Sequence, residues 1–315
     1  MFWLYIIIFL ASCVFLALAG EWLIRALMRI AKFLHWREFV VAFFAVAFGA
    51  SLPDLFVGVS SALNGIPELS FGDVISGNVI DLTLAVALAV FISRSAIHSD
   101  SKLVKKSALF TALIAVLPLF LVLDGILSKG DGLVLISAFL LYAIWVFLRG
   151  ERFHKVYDGE KAKFKDFFYD LGVLIMALAV MLLASQGIVK SAVYFGQIFN
   201  LPLILVGILI VSLGNALPET YFAVISARRE QNWMVLGDLM GSVISCATLV
   251  LGITALIHPI RIVNLPSVAV ARFFLILAAG FFLIFTISGR KISRKEAIFL
   301  FLLYAAFILI EILII

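Results

Sequence analysis

Gly49-Ala50-Ser51-Leu52-Pro53-Asp54 and Gly214-Asn215-Ala216-Leu217-Pro218-Glu219 are one phrase written twice, 165 positions apart. The same displacement carries Gly72-Asp73 onto Gly237-Asp238 and Thr83-Leu84 onto Thr248-Leu249 without a gap. Apolar composition alone produces scattered identities. It does not place a proline followed by an acid and a Gly-Asp pair in a single register, so the chain reads as one unit made twice.

The surroundings of these phrases are apolar. Of 315 residues 64% are hydrophobic and 14% charged, with a mean hydropathy of +1.21, which leaves too little polar material to cover a soluble globule of this size. Stretches of the roughly 20 residues that cross a hydrocarbon core recur along nearly the whole chain. Ten are read, at about 2–28, 38–63, 71–93, 105–124, 132–149, 167–192, 201–227, 234–257, 266–288 and 295–314. The expected fold is an all-α membrane protein of ten transmembrane helices.

The net charge of +5 does not point to nucleic acid, because the basic residues sit in short connections rather than in one patch. With the N-terminus outside, the inner connections hold 19 of the 24 Lys and Arg, the outer ones hold Lys129, Lys190, Arg261 and Arg272, and Arg25 lies near the inner end of the first span. Such a bias predicts N-terminus and C-terminus both outside and an even number of spans. Leu10-Ala11-Ser12-Cys13 looks superficially like a lipoprotein cleavage box. No Lys or Arg precedes it and the apolar run continues past it, so an uncleaved first helix is expected. Cys13 and Cys246 both lie in apolar spans, which suggests neither a disulfide framework nor a thiolate zinc site.

The one strongly charged stretch, near 150–166, divides the chain into 1–149, with a repeat core at 38–93, and 167–315, with its counterpart at 201–257. Five spans is an odd number, so the second copy enters the membrane upside down. Two inverted-topology five-helix repeats are the expected architecture, and transporters built this way bind substrate near the midplane between interrupted helices of both halves.

Asp54 and Glu219 each follow a proline inside an apolar span. A carboxylate at a helix centre costs roughly 2.5 to 3.5 kcal/mol on the most lenient scales, so it faces a polar cavity or an ion. The proline leaves a carbonyl one turn earlier without its donor, which makes main-chain oxygens near Gly49 and Gly214 available to a cation. Asp73, Gly77 and Asp81 are spaced four apart and share a helical face, as do Asp238, Ser242 and Cys246. Asp81 is expected as a ligand, whereas Asp73 and Asp238, nearer helix starts, are read equally as ligands or as caps. Asp54, Asp81 and Glu219 with Ser51, Ser242 and Ser245 offer the oxygen-rich donor set of a hard cation such as Ca²⁺. A single central thiol and no central histidine argue against soft-metal transport.

These windows resemble the two alpha-repeats of the cation/calcium exchanger superfamily, which includes the sodium/calcium exchangers. Members carry Gly-Thr-Ser-Leu-Pro-Glu in one helix and Gly-Asn, two residues, Gly-Ser-Asn, two residues, then Asn or Asp in the next, twice and inverted. The resemblance implies alternating-access antiport across a prokaryotic cell membrane, with Ca²⁺ held chiefly by Asp54 and Glu219 and Na⁺ at overlapping positions. Motif positions carried over as metal-binding are Ala50, Ser51, Gly77, Asn78, Asp81, Asn215, Ser242, Ser245 and Cys246. Ala50, Ala216, Gly77, Val243 and Cys246 depart from the pattern and remove oxygen ligands that would build sodium sites. A carboxylate cluster short of neutral oxygens can instead trade its charge by protonation, so proton/calcium antiport is the alternative. No covalent cofactor is implied and oligomeric state is not read. Two further readings are weaker. A cation channel would share the acidic lining, and an intramembrane protease using Asp54 and Asp81 gives no reason for a second copy with Glu219, so no enzyme is expected.

Overall fold

A computed structural model describes residues 1–33, 51–93, 96–98, 102–149, 164–229, 232–262, 265–288 and 291–314. Among them run ten helices. The first copy contributes α1 (Phe2–Phe33), α2 (Leu52–Leu63), α3 (Glu68–Ile92), α4 (Lys102–Leu121) and α5 (Lys129–Arg149). The second contributes α6 (Phe164–Phe199), α7 (Leu203–Arg228), α8 (Asn232–Ser245, continuing through Cys246–Val250 into Leu251–Ile257), α9 (Leu265–Ser288) and α10 (Arg294–Ile314). All but α2 are long and apolar enough to cross a membrane.

The duplication read from the sequence is a property of the backbone as well. α10 starts and ends 165 residues after α5. A wide π-turn interrupts α3 at Asp81–Ala85 and another interrupts α8 at Cys246–Val250, again 165 residues on. A third π-turn occupies Gly207–Val211 in α7. Each contains or adjoins a hydroxyl bonded to the carbonyl four residues earlier: Thr83 to Val79, Thr248 to Ile244 and Ser212 to Ile208. That local bond competes with the helical ladder and bends it, which gives the aligned Thr83 and Thr248 a structural purpose.

Several boundaries differ from expectation. The sequence reading sets Asp54 halfway along a span from 38 to 63; 34–50 lie outside the described residues, and the described α2 runs from Leu52 with Ser51 as its N-cap. Asp54 therefore stands in the first turn of the described helix, just after Pro53. Pro218, by contrast, is interior to α7. Asp73 does not cap α3, whose N-cap is Pro67, nor Asp238 α8, which begins six residues earlier at Asn232. Of the expected 150–166 loop, 150–163 lie outside the described residues and 164–166 are already helical.

Burial sorts the helices into a centre and a rim. Within the protein are buried 83% of the α8 span and 72% of the α3 span, against 17% for α5 and 22% each for α1 and α6. The rim presents large apolar side chains such as Leu4, Leu141 and Leu183 to its surroundings. α1 packs along α6, and an apolar cluster of Leu16, Met181, Val57 and Val206 joins that pair to α2 and α7. Lipid is as apolar as leucine, so helices in a membrane associate by close packing, which small residues permit. At the α3–α7 crossing, a Cβ on Gly72 would strike the Ile204 carbonyl oxygen and one on Gly207 the Leu69 carbonyl oxygen.

Two short antiparallel pairs stitch the copies together. β1 (Ile97–His98) pairs with β4 (Lys291–Ile292), and β2 (Ile126–Leu127) pairs with β3 (Ile260–Arg261). Each joins a connection of one half to a connection of the other.

Candidate ion-binding site

Where α2, α3, α7 and α8 meet, a cavity of about 10 Å³ is lined by Asp54, Asp73, Val74, Gly77, Asn78, Asp81, Ser212, Asn215, Ala216, Glu219 and Cys246. That is room for one water-sized occupant. Both proline-following acids reach it, Asp54 from the first turn of α2 and Glu219 from the turn after Pro218. The π-turns matter here because Asp81 and Cys246 are their first residues, so each wall position is set by a widened turn rather than a regular one.

Most of the carboxylates are held by a donor from another helix. Cys246 Sγ donates to Asp54 Oδ2 at 3.0 Å, Ser242 Oγ to Glu219 Oε1 at 2.8 Å and Asn215 Nδ2 to Asp73 Oδ2 at 2.8 Å. Ser212 Oγ lies 3.1 Å from Ser76 Oγ, tying α7 to α3 beside the cavity. Asp81 Oδ1, Asn215 Oδ1 and Asn78 Nδ2 are buried without a hydrogen-bond partner among the described residues. Leaving such a group unsatisfied costs about 1 to 3 kcal/mol, more for a charged one, so the cavity is short of partners that an occupant would supply. Four carboxyl groups and no Lys or Arg line it. Among the described residues no three Cys, His, Asp or Glu side chains stand at metal-holding geometry, so the walls would have to draw in around an ion.

Of the residues read from the sequence, Asp54, Glu219, Asp81, Asn215, Asn78, Gly77 and Cys246 line the cavity, and Ser242 adjoins it through Glu219. Ser51 and Ser245 are buried but off the wall: Ser51 is an N-cap, and Ser245 is turned about 100° around α8 from Cys246. Ala50 and Gly49 lie outside the described residues. Asp73 belongs to the wall although its position leaves capping open, and its spacing of eight from Asp81 is the signal that places it there. Ser212 also lines the wall, from outside both motif phrases, where no sequence pattern marks it.

Two upside-down copies closing four central helices on an acidic cavity define an integral, multi-pass membrane transporter. The chain belongs to the sodium/calcium exchanger protein family, whose pattern matches residues 4–148 and 169–313. It is 22% identical to the sodium/calcium exchanger MaX1 of Methanosarcina acetivorans over 96% of this chain and 97% of that one. It is 23% identical to the putative antiporter CaxA of Alkalimonas amylolytica over 79% of this chain and 80% of that one. The fold matches the sodium-calcium exchanger NCX_Mj, solved after soaking with Na⁺ and Sr²⁺, with a TM-score of 0.67 over 98% of each chain at 24% identity. The family resemblance and the two inverted five-helix repeats expected from the motifs are thereby borne out, and the family is one of transporters rather than enzymes.

Proposed function

We propose that this protein exchanges Ca²⁺ for Na⁺ by alternating access, with Asp54 and Glu219 as the principal ligands and Asp81 as a third. One observation carries the reading: an acid from each inverted copy lines the same small cavity. A divalent ion there offsets the repulsion among buried carboxylates, and Asn215, Asn78 and Ser242 stand close enough to contribute neutral donors. Coupling is competition. Driver and cargo neutralise the same carboxylates, so each occludes the site alone and neither shares it. The distribution of Lys and Arg supports both termini outside, with 1–149 and 167–315 as the two units about a basic cytoplasmic 150–166, in a prokaryotic cell membrane.

Proton/calcium exchange is favoured by a separate observation: Gly77, Ala216 and Cys246 occupy wall positions and bring no side-chain oxygen. The test is ⁴⁵Ca²⁺ uptake into liposomes of purified protein, driven by an outward Na⁺ gradient or an outward proton gradient. Na⁺-driven uptake that Asp54→Asn and Glu219→Gln abolish supports the proposal. Uptake driven by protons alone selects the second reading, uptake that persists without any opposing gradient indicates a channel, and uptake indifferent to both substitutions removes the site.

A further inference from the structure

Of the two acids in the duplicated Gly-Asp pairs, Asp73 lines the cavity and Asp238 does not. Asp238 is 7% exposed, and among the described residues its Oδ2 has no hydrogen-bond partner. A buried carboxylate oxygen left in that condition is costly, and such groups persist where a ligand or a transported ion relieves them.

Its position is informative. On α8, Asp238, Ser242 and Cys246 follow one another at intervals of four, and the second and third already face the cavity through their bonds to Glu219 and Asp54. Asp238 continues that polar stripe one turn toward the membrane face bearing Arg228 and the start of α8. Its counterpart in the other copy, Asp73, is satisfied by Asn215. The position equivalent to Asn215 is Ala50, whose side chain has nothing to donate. The sequence has thus kept the carboxylate in both copies and the partner in only one.

We infer that Asp238 is a second cation station, which takes the divalent cargo on its way between the central cavity and the membrane face at the α8 N-terminus. The inference rests on the central site being the transport site. A negative group between a site and one membrane face concentrates cations and speeds their arrival, and it does so only for ions arriving from its own side. Asp73 lines the cavity itself, so its loss is felt from either side.

The experiment compares the Ca²⁺ concentration dependence of uptake in right-side-out and everted vesicles for the wild type, Asp238→Asn, Asp238→Glu and Asp73→Asn, with Asp54→Asn as the transport-dead reference. Asp238→Asn is expected to raise the half-saturating Ca²⁺ about tenfold from the α8 N-terminal face, to leave the opposite face within about twofold, and to preserve the maximal rate. Asp238→Glu, which keeps the charge, is expected to restore wild-type half-saturation and so separates lost charge from disturbed packing. Equal shifts from both faces, no shift, or a defect that Asp238→Glu shares would overturn the station. Normal transport by Asp54→Asn would instead remove the central site, a distinct result.

Discussion

Arg29 Nε donates to Asp170 Oδ1 at 2.6 Å, and the two positions that the 165-residue displacement equates with them, Tyr194 and Tyr5, stack face to face with ring centroids 3.8 Å apart. One crossing of α1 on α6 thus occurs twice, once at each end of the pair, closed by an ion pair at one end and by aromatic rings at the other. The ion pair is lopsided: the Arg29 side chain is half exposed, whereas that of Asp170 is 5% exposed.

That imbalance predicts unequal effects. Asp170→Ala leaves a half-solvated arginine and is expected to lower stability by about 1 kcal/mol, the range of exposed pairs. Arg29→Ala strands a buried carboxylate and is expected to cost about 3 kcal/mol. Thermal unfolding of both variants in detergent checks the order, and equal midpoints would contradict it.

The two central acids should not act additively. Asp54→Asn and Glu219→Gln are each expected to lower Ca²⁺ uptake at least about 100-fold, since losing an outer-shell partner alone commonly costs roughly 10- to 100-fold. The double variant is expected to be no worse than either single one. Initial uptake rates at saturating Ca²⁺ measure this.

Thr83→Val and Thr248→Val remove the side-chain bonds inside the π-turns while nearly preserving shape. Because such bonds bend helices at slight cost to them, the melting midpoint should stay level or rise. The half-saturating Ca²⁺ should rise, because Asp81 and Cys246 begin those turns. A binding titration beside a melting curve separates the two effects.

Gly72→Ala and Gly207→Ala insert a methyl group where a carbonyl oxygen already sits, so α3 and α7 must separate at an expected cost of about 1 to 3 kcal/mol. Gly172→Ala, whose added carbon meets nothing within 4 Å among the described residues, is the matched control and should melt like the wild type.

The duplicated phrases make the architecture legible before any coordinates, because a Pro-acid pair repeated in register within an odd number of spans hardly arises except by inverted duplication. The pairing of Asp54 with Glu219 in one cavity follows from that symmetry. Other features leave no such mark. Whether Asp54 begins a helix or lies midway along one depends on how the chain enters it, which Pro53 permits either way. The π-turns arise from a side-chain bond that Thr83 and Thr248 are free to make or decline. The Cys246 to Asp54 contact joins residues on different helices at unrelated sequence distance, so no periodicity announces it. Asp73 is half legible: its place on the Asp81 face is visible, but the Asn215 amide that holds it comes from the other copy.

The short strands carry one more consequence. β1 finds its mate in β4 and β2 in β3, so each copy owns two strands and can complete neither ribbon with them. Severed between Arg149 and Phe164 and expressed as separate polypeptides, the halves would each display two lone edges that only the other can answer. Reassembly into an active pair is the outcome such reciprocity implies, and peptide continuity through the middle of the chain is then a convenience of synthesis rather than a condition of folding.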